Sequence, residues 1–110
     1  MESTNKYQQS TAWMQSAGNP KLLVKDEGRG GTIYFTNDET KFSLWWEFAG
    51  DDAIAIIEAP GAEHWVTHTS FPLKQRNDVL TYIGGQVIAK KLAGDGYFII
   101  NENSLSIYKW

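Results

Sequence analysis

Residues 41–48 read KFSLWWEF, with Phe42, Leu44, Trp46 and Phe48 alternating against Ser43, Trp45 and Glu47. A period of two marks a strand with one buried face, because successive side chains leave opposite sides of the pleat. A single strand cannot satisfy its own backbone, so the neighbouring sequence must supply partners. KLLVK (21–25) and TIYFT (32–36) lie upstream on either side of DEGRGG, and NDET turns the chain into residues 41–48. Beyond AGDD, the segment AIAIIEA (53–59) is apolar and rich in β-branched residues, which predicts a central strand covered on both faces. After the break at PG, EHWVTHT (63–69) is read as a fifth strand, since Trp, Val and Thr favour that state. Connections this short favour an antiparallel meander. YFII (97–100), NENS and LSIYKW (105–110) form a second hairpin.

Two helices complete the reading. Residues 4–17 predict a short one, capped by Ser3 or Thr4, with Tyr7, Thr11 and Met14 on one face and Gly18 before Asn19-Pro20 at its end. A longer one is predicted from Pro72 to about Leu92, stopped by Gly94, with Leu73, Leu80, Ile83 and Val87 on one stripe. Gly84 and Gly85 each cost this helix about 1 kcal/mol relative to alanine, so they are expected to admit a close contact. The expected architecture is one α+β domain over residues 1–110. Its mostly antiparallel sheet, a five-strand meander plus a C-terminal hairpin, packs against one long and one short helix in the order α-β5-α-β2.

Composition narrows the function classes. A net charge of −3 offers no basic field for phosphates, so nucleic acid is an unexpected partner. The absence of cysteine excludes disulfides, thiolate metal sites and thiol catalysis. The first ten residues, MESTNKYQQS, are polar, and no apolar run reaches membrane-spanning length; the expected setting is the cytoplasm, without membrane contact. Five Trp, five Tyr and five Phe are a large aromatic load for 110 residues, enough for both a core and a binding face.

On a strand, His64 and His68 would stand roughly 13 Å apart, too far to chelate one ion, so no metal and no cofactor is expected. The acidic pairs at 26–27, 38–39 and 51–52 fall in predicted turns, where carboxylates are usually solvated. Glu47 and Glu58 are the better acid candidates, but nothing pairs them. Ser43 and Ser70 lack a nucleophile context, and EGRGG lacks the GK[ST] of a phosphate loop. No catalytic residue is assigned.

Arg76 falls on the apolar stripe of the long helix, where a guanidinium needs a carboxylate or a route to water. It is expected to make a structural salt bridge or to lay its stem along the sheet; its functional alternative is anion binding at a cleft edge. On the sheet, Ile33, Phe35, Phe42, Leu44, Trp46, Phe48, Ile54 and Ile56 are expected to face the helices. Tyr34, Trp45, Ala53, Ala55 and Trp65 would then share the other face. Candidate binding residues are Tyr34, Trp45, Trp65 and Arg76. They suit a non-enzymatic interaction or regulatory domain that binds a protein partner or its own copy through an aromatic sheet face. The alternative is a small-ligand binder or enzyme, with a pocket between long helix and sheet that holds Arg76 and an acidic strand residue.

Overall fold

The computed structural model describes residues 11–50 and 52–110. They form an α+β fold with one six-stranded sheet, every neighbouring pair antiparallel, in the order β1-β2-β3-β4-β6-β5. The strands are β1 (Lys21–Asp26), β2 (Gly30–Thr36), β3 (Lys41–Phe48), β4 (Ala55–Glu58), β5 (Gly96–Ile100) and β6 (Ser104–Lys109); the helices are α1 (Thr11–Ser16), α2 (Trp65–Thr69) and α3 (Arg76–Lys91). The meander thus has four strands. After the helices the chain returns through the β5–β6 hairpin, and β6 closes the sheet against β4.

The expected fifth strand is a helix. Residues 65–69 wind into α2, which buries Trp65 and Thr69 on the side facing the core. The strand preference of Trp, Val and Thr is overridden because a helical turn lets positions i and i+4 enter the core together. Thr69 Oγ1 donates to the Trp65 carbonyl (2.8 Å) and accepts from the Phe71 amide (3.2 Å), which folds the chain out of the helix.

Pairing with β3 corrects the expected faces of β4. Trp46 points inward and pairs with Ile57, so Ala55 and Ile57 enter the core while Ile56 shares the outer face with Glu47. AIAIIEA is apolar at successive positions, so its own pattern could not choose between the two registers. Phe48 keeps its inward direction but lies near the end of the sheet, where it stays largely exposed and stands edge-on to Trp46.

At the N-terminal end, Trp13 and Met14 pack against the core and Ala17 is buried. Gly18 (φ 79°) and Asn19 (φ 53°) end the turn, as the glycine signal predicted. The expected cap at Ser3 or Thr4 and the Tyr7 contact lie outside the described residues. Pro72 opens a single 3-10 turn (Leu73–Gln75) that leads into α3. That tighter turn swings Leu73 off the stripe, and it is 45% exposed. Leu80, Ile83 and Val87 are buried as expected, joined by Val79, Tyr82 and Ile88. Gly84 explains itself: a Cβ there would stand 2.7 Å from the Phe98 ring of β5, so the missing side chain allows the close approach.

Tyr82 is the polar exception in this interface. Its hydroxyl donates to the Pro20 carbonyl (3.0 Å), and burial pushes the phenol pKa up. A raised folded-state pKa means the folded protein holds this proton more tightly than the unfolded chain. The associated stability is complete below the ordinary phenol value of about 10 and is lost as pH rises through the raised value. Tyr82→Phe is expected to lower stability at neutral pH by about 1 kcal/mol and to flatten the decline above pH ~10. Urea midpoints measured across the alkaline range test this, and an unchanged decline would contradict it.

Candidate functional site

All three helices pack on the side of the sheet that carries the core, and among the described residues the other face is open. On that outer face the strand register fixes the neighbours. Tyr34 lies between Leu23 of β1 and Ser43 of β3, and Trp45 pairs with Thr32. Tyr34 and Trp45 are therefore diagonal neighbours on adjacent strands, close enough for large rings to form one surface. Trp45 is 38% exposed, Tyr34 39% and Leu23 62%, whereas Trp46 on the inner face is 6% exposed. The Trp45 indole Nε1 donates to Glu47 Oε2 (2.9 Å), which fixes its ring and occupies the carboxylate singled out as a candidate acid.

The same face carries aromatic residues that the sequence reading did not single out. Tyr97 of β5 pairs with Tyr108 of β6; their rings stack at 4.9 Å, and Trp110 lies 4.4 Å from Tyr97. Ile99 is also exposed there. Alternation against the buried Leu105 and Ile107 was the available signal for Tyr108. The six-residue run LSIYKW was too short to weigh heavily.

At one end of this face an open groove of about 620 Å³ separates Trp45 of β3 from the β4–α2 loop and α2. Glu58, His64, His68 and Asn103 line it with Trp45. The helical state of residues 65–69 overturns the 13 Å separation expected for the two histidines, since helical residues four apart are neighbours. His68 has a structural task instead. Its Nε2 lies 2.7 Å from the Ser43 carbonyl, which can only accept, so Nε2 carries the hydrogen and donates. Its ring also meets Phe42 edge-on at 6.0 Å. Among the described residues, no group of three or more His, Asp or Glu is placed to hold a metal ion. His68→Ala is expected to cost about 1 kcal/mol for the lost hydrogen bond. His64 makes no side-chain cap bond, so His64→Ala should sit near wild type. Indistinguishable urea midpoints for the two variants would contradict the docking role of His68.

Trp65 and Arg76 also come together, but away from the outer face. Trp65 is fully buried, with its indole Nε1 donating to the Pro72 carbonyl (3.2 Å). The Arg76 guanidinium lies over that ring, 5.8 Å from its centre. Arg76 meets backbone carbonyls rather than the carboxylate partner expected for it: Nε donates to Pro60 (2.9 Å), and one terminal nitrogen donates to Asn101 (3.1 Å) and Glu102 (2.8 Å). Burial lowers its pKa, and the negative charge of Glu102 acts the other way. Arg76 therefore ties the β4–α2 loop to the β5–β6 turn at the start of α3. The positions chosen for binding divide into two pairs, Tyr34 with Trp45 on the open face and Trp65 with Arg76 inside a structural clamp.

An apolar crevice does lie between α3 and the sheet, but at the C-terminal end of the helix beside Lys91 and Leu92. Arg76 begins the same helix, roughly 22 Å away along its axis. No helix among the described residues is long and apolar enough to cross a membrane. Compared with protein-family models, curated proteins and solved structures, the chain matches none of them.

Proposed function

We propose that this chain is a cytoplasmic, non-enzymatic protein-interaction domain that binds a protein partner, or a second copy of itself, through the outer face of its sheet. The observation that carries this reading is the exposure of Leu23, Tyr34 and Trp45 side by side on a face that no helix among the described residues covers. Tyr and Trp dominate the energetics of protein interfaces because they bury much area at little cost in conformational entropy. On the same face the Glu47 carboxylate accepts from the Trp45 indole, so it is part of this surface. The net charge of −3 favours a protein partner over nucleic acid.

The test compares affinity capture and sedimentation for the wild type, the double variant Tyr34→Ala/Trp45→Ala, and a control variant Val66→Ala. Val66 is exposed on α2, away from the sheet face. A stoichiometric partner, or a dimer, should be retained by wild type and control and weakened at least about 30-fold in the double variant. Equal binding by all three would overturn the reading.

A further inference from the structure

The open groove beside Trp45 pairs an aromatic ring with a carboxylate. The register that sets Trp46 opposite Ile57 brings Trp45 opposite Glu58 one step further along β3 and β4, and both border the groove with Pro60, His64 and Asn103. Side chains directly opposite on antiparallel strands start about 5 Å apart, so ring and carboxylate can meet one ligand together. The ring is seated over Gly30 of β2, where a Cβ would stand 3.0 Å from Trp45 Cζ2, and it remains 38% exposed. Its N–H goes to the Glu47 carboxylate, which pushes electron density into the indole and makes its face a better seat for a cation.

Glu58 is exposed and makes no hydrogen bond or ion pair among the described residues. Among those residues, no lysine or arginine lines the groove. Lys25 stands two strands from Trp45, beyond Thr32, roughly 10 Å away. Arg76 holds the Pro60 carbonyl, but the negative charge acting on it is that of Glu102.

We infer that this groove receives an arginine side chain of the protein partner, an identification that rests on the docking reading above. The guanidinium is flat and always charged. It can lie on the indole face and fork onto the Glu58 carboxylate with two N–H donors. A lysine ammonium is a compact, strongly hydrated point charge that cannot do both as well. A neutral apolar side chain would strip water from the carboxylate and return no partner. The net charge of −3 likewise favours a partner with a basic contact surface.

The probe is N-acetyl-arginine amide, titrated into the full chain at low salt and millimolar concentrations. Its lysine and citrulline counterparts and methyl glucoside are titrated beside it; citrulline keeps the shape without the charge. Binding is followed through the indole N–H resonances, with that of Trp45 assigned by its loss in Trp45→Ala. The arginine probe should shift the Trp45 resonance saturably and bind about fivefold more tightly than citrulline, with lysine in between. Glu58→Gln should weaken it about threefold. Asp95→Asn removes the same charge from an exposed position between α3 and β5, and should leave binding unchanged. The single-residue probe reads only this groove, whereas the sedimentation test reads the whole face, so the two readings fail separately. Absence of a saturable Trp45 shift, equal affinity for arginine and citrulline, equal effects of Glu58→Gln and Asp95→Asn, or a methyl glucoside that binds as tightly as arginine would each overturn the inference.

Discussion

Trp65→Ala is expected to lower stability by about 3–5 kcal/mol, placing it among the most damaging single substitutions in the chain. The ring is fully buried, and its indole N–H is spent on the Pro72 carbonyl. Removing it empties a large volume beneath α2 and leaves that carbonyl without this donor. It also takes away the surface on which the Arg76 guanidinium rests. Arg76 holds the carbonyls of Pro60, Asn101 and Glu102, so the loss should loosen the β4–α2 loop and the β5–β6 turn together. Urea unfolding measures the total, and hydrogen exchange at these two loops shows whether they loosen as a unit. A loss below about 1 kcal/mol would fit a Trp65 on an exposed strand and would contradict the buried clamp.

Trp65 also lies where local sequence signals conflict. The strongest alternation, at residues 41–48, placed Trp45 and Trp46 on opposite faces, and β3 has that arrangement. Paired strands and the glycine-ended helix were legible for the same reason: in each, a local pattern and a local stop signal agree. Residues 63–69 carry a conflict instead. Their composition favours a strand, but the i, i+4 spacing of Trp65 and Thr69 lets a helix bury both, and only the surrounding core decides between them. The β4 register was hidden too, since a run of apolar residues fits either face until the neighbouring strand selects one.

The candidate site was partly legible. Tyr34 and Trp45 follow from alternation alone, and the structure places them on one open face. Arg76 was correctly marked as a charge in an awkward place, but its partners come from segments 16 to 26 residues away in sequence. Backbone carbonyls leave no composition signal. Tyr97 and Tyr108 join the outer face only through the pairing of the last two strands.

The adjacent tryptophans of β3 give the second large effect. Trp46 packs inside the core, edge-on to Phe48 at 4.9 Å and beside Ile57 in the next strand. Trp46→Ala is expected to cost about 3–5 kcal/mol, since large aromatic truncations leave cavities that the core cannot close. Part of that cost is offset, because the variant also removes a buried indole N–H that lacks an acceptor. Trp45→Ala deletes a half-open ring and one exposed hydrogen bond to Glu47, so its cost should stay near 1 kcal/mol.

The central claim is that the outer sheet face exists to be covered by a protein. Its most direct test is association measured for Trp45→Ala beside wild type under conditions where both are fully folded, by sedimentation and by titration with a captured partner. The predicted result is a cooperative urea transition for Trp45→Ala, lowered by no more than about 1 kcal/mol, with binding or dimerisation weakened by about 2 kcal/mol or more. Association equal to wild type in a fully folded Trp45→Ala protein would contradict the account.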